Sequence, residues 1–413
     1  MSETAPAVSA RDVRFLWPMR RLPIFFIVDD PAPCLNLAHY EQYWEPHVRD
    51  VPNAFTHAWA DLIAEFGVRG KFSVLPVPAA IGRIDRPLPD VKPFDQAEFL
   101  SIIRDQVSPQ MDICIEFLTH FLAWDIRRDR PRDYTEKTMA PHIGDQDRLA
   151  DYFAYGLRIL NDLGLNPTGA TSPGASLVER EWDYQAAIAD AVRSVTGLPI
   201  VWYFLHVDDR SPVVLPRVMS LDRDAGTACV TMVSAGNDPS WDTQRGLPST
   251  LDDLITPDGQ AGRLVDLYRN ESVIGFHTHW QSLFSEGRET GLRDLRITLG
   301  RIREHFGDNV RWTKCSELAR VAAAQAVTRT AVEETPDGAI AVRLSSTIAC
   351  PDFTVRLEVG VRPVRSVHAG ENELRRLQPD GNGPLEPNTW RKNGSAVVWC
   401  ADLPVGKQNI LLR

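Results

Sequence analysis

Pro23-Ile-Phe-Phe-Ile-Val28 runs straight into Asp29-Asp30-Pro31. An unbroken apolar run of strand length is what a strand buried on both faces requires, as in a parallel sheet covered by helices. Ending that run on two carboxylates and a proline delivers acidic groups to the rim of the fold. Other apolar runs end the same way: Ile113–Thr119 before His120, Thr168–Thr171 before Ser172-Pro173-Gly174, and Ser272–Phe276 before His277 and His279.

Around these junctions, strand-like and helix-like segments alternate from residue 20 to about 325. Ala54–Phe66 reads as a helix begun by Asn53 as N-cap. Gln146–Leu163 reads as a helix stopped by Gly164, and Leu251–Arg269 as one continuous helix. About seven such units predict an α/β fold, a distorted (β/α) barrel over residues 20–325, with reactive groups at the C-terminal strand ends. Beyond 326 the pattern becomes short alternating runs separated by turn residues, which predicts an all-β sandwich domain over 326–413. Residues 1–19 read as an N-terminal tail.

A chain of 413 residues that is 43% apolar and 24% charged has ample material for a core. A formal charge of −10 disfavours nucleic acid and anionic membrane surfaces as partners. No apolar run reaches membrane-spanning length. The six cysteines are scattered without a CxxC pair, so they read as reduced core thiols. These features give a cytoplasmic expectation and do not oppose a homo-oligomer.

The order of motifs resembles the polysaccharide deacetylase (NodB-homology, carbohydrate esterase 4-like) superfamily, as a divergent member. Val28-Asp29-Asp30 resembles its first motif and Gly70-Lys-Phe-Ser-Val-Leu75 its second strand. Thr119-His120 resembles half of its histidine motif. Gly164-Leu-Asn-Pro-Thr-Gly169, leading into Ser172-Pro173-Gly174, resembles the approach to its Arg-x-Pro-x-Gly motif. Ile274-Gly-Phe-His277 resembles its last histidine motif, and Val310-Arg-Trp-Thr313 with Glu317-Leu318 its closing strand and helix. Two departures stand out. Trp124 occupies the place of a second histidine four residues after the first, and Thr171-Ser172 replaces the arginine before Pro-x-Gly.

The resemblance implies a metal-dependent hydrolase of acetyl amides or esters, with zinc as the expected divalent ion and a carbohydrate or other small acylated molecule as substrate. It implies Asp30 as a metal ligand and Asp29 as the base that takes a proton from water. His120 is the second ligand. The third is left between Asp125 and His279. If residues 276–280 stay extended, His277 and His279 project to one face, and His277 is assigned as the acid. Ser172, Pro173 and Gly174 read as a tight turn at the mouth, whose backbone N–H groups are candidates for holding an oxyanion. Trp124 and Trp280, with Phe284, are candidates for an apolar platform. Asp238 is a candidate carboxylate behind a histidine, whereas His39, His47, His57 and His142 read as surface or helix positions. Two other readings stay open: a metal-independent glycoside hydrolase using rim carboxylates, and a non-catalytic carbohydrate-binding barrel.

Overall fold

The computed structural model describes residues 9–41, 43–144, 146–378 and 383–413. The rest of the expected tail, residues 1–8, lies outside them. In chain order the first strands are β1 (Val13–Leu16), β2 (Leu22–Asp29), β3 (Gly70–Val74), β4 (Met111–Glu116), β5 (Leu122–Asp125) and β6 (Arg130–Thr135). Next come β7 (Gly169–Thr171), β8 (Ile200–Val207), β9 (Arg217–Asp222), β10 (Thr227–Ser234), β11 (Ile274–His279) and β12 (Val310–Trp312).

A nine-stranded sheet runs β11-β2-β3-β4-β7-β8-β10-β9, with β12 beside the first half of β2. Every pairing in it is parallel except β10 with β9. The sheet curls until the end of β10 reaches β11, where the Ala235 N–H donates to Gly275 O at 2.7 Å. The architecture is therefore mixed α/β around one strongly curled sheet.

Strand β2 shows why its sequence does not alternate. Ile24, Phe26 and Val28 pack outward among Phe55, Trp59 and Ile63 of the helix Asn53–Phe66. Phe25 and Ile27 face the concave side, in a core that includes Trp202, Phe204 and Leu318. Both faces are covered, so both must be apolar. Each such buried side chain contributes about 1.5–3 kcal/mol. The approach of β3 to β2 requires Gly70, because a Cβ there would sit 1.8 Å from Phe26 O.

The helix Cys315–Val327 packs against the concave face, touching the same core. Its first turn is held by Asp112, which accepts from Ser316 N at 2.6 Å and Ser316 Oγ at 2.9 Å. Strands β13 (Arg329–Glu334), β14 (Ile340–Ser346) and β15 (Cys350–Glu358) then open two five-stranded sheets. Buried residues of both, such as Val342, Val355 and Trp399, share one cluster.

Local expectations fail where turns or tertiary pairing intervene. Residues 13–16, part of the expected tail, form β1, which pairs antiparallel with β15 from Val13↔Leu357 to Leu16↔Thr354. Asn53 is not a cap: it is the first helical residue, and its Nδ2 donates to Asp95 O and to Glu98. Leu251–Arg269 is two short helices, Leu251–Leu254 and Arg263–Arg269, separated where Gly259 and Gly262 take φ of 64° and 110°. All six cysteines are buried and unpaired. Among the described residues no helix is long and apolar enough to cross a membrane.

Candidate metal centre

The paired aspartates leave β2 in different directions. Asp29 is the last strand residue and its side chain enters the concave interior. There Lys71 Nζ donates to Asp29 Oδ1, and Ser73 Oγ donates to the same oxygen at 3.0 Å. Lys71 is wholly buried and also donates to Ser73 Oγ and Thr171 Oγ1, each at 2.6 Å. Burial works against its charge, yet Asp29, Cys114 and Glu116 together offset this and the Lys71 pKa is raised.

Asp30 has turned into the left-handed region, at φ 68°. Its Oδ2 accepts from Tyr40 Oη at 3.0 Å and Gln281 Nε2 at 3.1 Å. Its N–H donates to Glu116 Oε2 at 2.9 Å. Glu116 ends β4, and four residues later His120 swings back, also left-handed at φ 52°. The carboxylate of Glu136 holds this loop by accepting from the N–H groups of Leu118, Thr119 and His120 at 2.9, 3.1 and 2.8 Å.

One donor atom each of Asp30, Glu116 and His120 lies within 4.8 Å of the others. His120 Nε2 is 3.4 Å from Asp30 Oδ1 and 3.6 Å from Glu116 Oε1. Those separations match the edge of a tetrahedron with ligand bonds of about 2.0–2.2 Å, roughly 3.4 Å. Asp30 Oδ1 is buried and has no hydrogen-bond partner, an unmet acceptor aimed into the same space. Burial, with Asp30 and Asp29 nearby, pushes Glu116 well above the usual carboxylate range. Asp30 is held down to about 2: burial opposes this, but His120, His279 and Gln281 prevail. Two carboxyl groups that cannot both be charged unaided call for a proton or a cation between them. On geometry, unmet valence and charge, the donor set fits a divalent ion.

Beside this centre stand the two histidines of β11. Asp238 Oδ2 lies 2.9 Å from His279 Nδ1 and also accepts from the His279 N–H at 3.1 Å. Burial lowers the His279 pKa, but Asp238, with Asp30 and Asp29, outweighs it and the net shift is upward. His277 is the opposite case. Its Nδ1 is 2.9 Å from Ser234 Oγ, and burial with the neighbouring His279 takes its pKa down to about 4.

The structure thus brings together Asp29, Asp30, His120, His277 and His279. Asp125 stands apart: its carboxylate accepts from the N–H groups of Arg127 and Arg128 and pairs with Arg132 at 2.9 Å, fastening the β5–β6 hairpin. The four-residue spacing from His120 runs back to Glu116, not forward to Trp124 or Asp125. Trp124 is buried with its Nε1 donating to Asp129. Trp280 is core, packed on Phe55 and Phe72. Neither offers a platform. Ser172 spends its hydroxyl on Ser176 O and its N–H on Phe204 O at 3.1 Å, and Lys137 lies over Gly174. The aromatic groups that do border the centre are others. His39 lies in the short helix Leu37–Tyr40, as a helix position, but it is buried and packs on His120 with ring centroids 4.9 Å apart. Trp241 lies 4.7 Å from His279, and Tyr43 lies 6.0 Å from Trp241. Sequence reasoning missed Glu116, Lys71, His39 and Trp241. A signal for Glu116 existed: an acidic residue ending a buried strand, one helical spacing before a histidine.

No protein-family model and no curated protein matches the chain. Several solved structures resemble it loosely. The Xyl-CE4 domain of a multidomain xylanase from the hindgut metagenome of Trinervitermes trinervoides is 12% identical, with 74% of this chain and 92% of that chain covered and a TM-score of 0.33. A mutant of a CE4 family pseudoenzyme is 10% identical over 77% and 72%, with a TM-score of 0.34. The alpha-fucosidase of Thermotoga maritima is 11% identical over 96% of each chain, with a TM-score of 0.26.

Proposed function

We propose that the chain is a divalent-metal-dependent hydrolase that removes an acyl group, as an amide or ester, from a carbohydrate-like substrate. The observation that carries this reading is the convergence of Asp30, Glu116 and His120 around the unpartnered Asp30 Oδ1. These three residues would hold the ion, with zinc expected for an N/O set of this size. When bound, such an ion supplies a polarised carbonyl and a more acidic water.

The remaining chemistry falls to side chains. His279, whose pKa is raised by Asp238 against the effect of burial, is the group suited to give a proton to the departing amine or alcohol. This moves the acid role from His277, whose buried imidazole is neutral above about pH 4. Asp29 has one carboxylate oxygen committed to Lys71 and Ser73, so proton acceptance is left to its other oxygen. Tyr43 and Trp241 border the mouth and suit stacking on a sugar ring. The same reading takes the curled sheet as a distorted (β/α) barrel of about seven units and the two five-stranded sheets as a β-sandwich extended by residues 13–16. A cytoplasmic location belongs to this reading through the six free thiols.

Convergence on one histidine also separates this reading from a metal-free glycosidase, whose two carboxyl groups face each other across the scissile bond. One observation favours a second reading, a binding barrel without turnover: the ammonium of Lys71 on Asp29. The test is metal content by mass spectrometry after chelation and reloading, for wild type and for Asp30→Ala, Glu116→Ala and His120→Ala, beside hydrolysis of a chromogenic acetate ester. Equal metal load in all four proteins refutes the site. Full load without hydrolysis of any acylated sugar selects the binding barrel.

A further inference from the structure

A large cleft lies at the other end of β2. It has a volume of about 850 Å³ and is walled by residues of β1 and β15, by the turn between β1 and β2, and by segments beneath the curled sheet. Its charge opposes that of the whole chain. Arg14, Arg20, Arg21, Arg269 and Arg356 line it against a single acid, Glu271, in a protein of formal charge −10. Folding therefore gathers guanidinium groups here against the average.

Arg14, Arg21 and Arg269 make no ion pair among the described residues. Arg356 pairs with Glu358 at 2.5 Å. Arg21 donates to the carbonyl oxygens of Asp308 and Leu385 at 2.9 and 3.1 Å, which leaves its charge uncompensated. Arg269 reaches the neutral Gln260 at 3.3 Å. Arg20 feels the crowding: burial pulls its pKa down, Glu271 pulls it up, and Arg391 and Arg356 pull it down again. The turn that presents Arg20 is strained, with Met19 at φ 55° and Arg20 at φ 56°. Consecutive left-handed residues of this kind persist where the surrounding structure demands them. Apolar side chains complete the lining. Val213 and Leu215 are 46% and 45% exposed, and Tyr268 presents a ring stacked on Phe306.

We propose that this cleft binds a phosphorylated small molecule, with its phosphates on the arginine wall and a ring or other apolar part against Val213, Leu215 and Tyr268. Guanidinium groups match phosphate oxygens in bidentate pairs. Arg14, Arg21 and Arg269, which make no ion pair among the described residues, favour several negative charges on a compact group, which a phosphate chain supplies and a lone carboxylate does not. Strand β2 separates the cleft from Asp29 by seven residue steps, roughly 23 Å at the rise of a strand, so the ligand does not touch the candidate metal centre. The assignment does not depend on the metal reading.

The test is isothermal titration of the intact protein with inorganic pyrophosphate, with ADP and with a trimeric uronate. The proteins are wild type, Arg14→Glu, Arg269→Glu, Val213→Ser and His120→Ala. Both reversed arginines are on the surface and leave the core untouched. The expected result is saturable binding of pyrophosphate and tighter binding of ADP. Each arginine reversal should weaken both ligands by about tenfold or more, Val213→Ser should weaken ADP alone, and His120→Ala should leave both unchanged. Absence of saturation by either phosphate at about 1 mM, or equal binding by wild type and both reversals, overturns the proposal. Binding of the uronate in preference to both phosphates overturns the phosphate assignment. Equal affinity for pyrophosphate and ADP overturns the apolar half.

Discussion

Replacing Lys71 by methionine removes a charge from the interior while keeping nearly the same volume, so no cavity term enters. Lys71 is wholly buried and Asp29 is 4% exposed. After the change Asp29 keeps, among the described residues, the hydroxyl of Ser73, 3.0 Å away. Ser73 and Thr171 lie 3.3 Å apart and can turn to each other, so their losses are small. The cost is dominated by the orphaned carboxylate, and breaking one partner of a buried ion pair costs about 3–5 kcal/mol. Lys71→Met should therefore lose about 4 kcal/mol in urea unfolding of the chelated protein. Adding Asp29→Asn removes the stranded charge and should restore about half of that loss. With one positive charge fewer beside Asp30 and Glu116, divalent-ion affinity should rise in Lys71→Met. A loss below about 1 kcal/mol, or a double variant no more stable than the single one, refutes the account of Asp29 as an ion-pair partner.

The remaining predictions concern the centre and its supports. Glu116→Gln should weaken zinc binding by at least about a hundredfold, while Asp125→Asn leaves metal content unchanged and loosens only the β5–β6 hairpin; titration against a chromophoric chelator separates the two. Because the His279 pKa is raised by Asp238, hydrolytic activity should fall only as pH rises through a value above 6.5, and Asp238→Asn should move that limb to lower pH. Glu136 is pushed up to about 7, by burial first. The folded state thus holds a proton that the unfolded chain releases near 4.5, so this contribution is present below that pH and is lost as pH rises to 7. Wild-type stability relative to Glu136→Gln should therefore fall by about 3 kcal/mol between pH 4.5 and 7. Trp241→Ala should raise KM several-fold with kcat little changed if the ring only stacks on substrate.

Much of the scaffold was legible because burial on both faces leaves a direct trace in residue type. Pro23–Val28, Asp112–Leu118 and Ser272–Phe276 read as strands since apolar residues dominate them. The carboxylates and imidazoles at their ends were legible for the same reason: such groups interrupt an apolar run only where the run reaches the rim. The β5–β6 hairpin and β1 were not legible, because Arg130–Thr135 is exposed and Val13–Leu16 is half-buried, so neither carries a strong hydrophobic pattern. Trp124 and Trp280 misled for a related reason: an aromatic near a catalytic motif in sequence is as well suited to the core as to the mouth.

Local chemistry set which segments are strands and which polar residues stand at their ends, since side-chain hydrophobicity and the period of two act over a few residues. Partnership was decided by the fold. Lys71 and Asp29 are 42 residues apart and Asp30 and Glu116 are 86; only parallel pairing of β2, β3 and β4 makes them neighbours. The left-handed turns at Asp30 and His120 then aim their donors at one point. Sequence distance carries no information about such contacts, because register between strands is settled by the packing of the whole sheet.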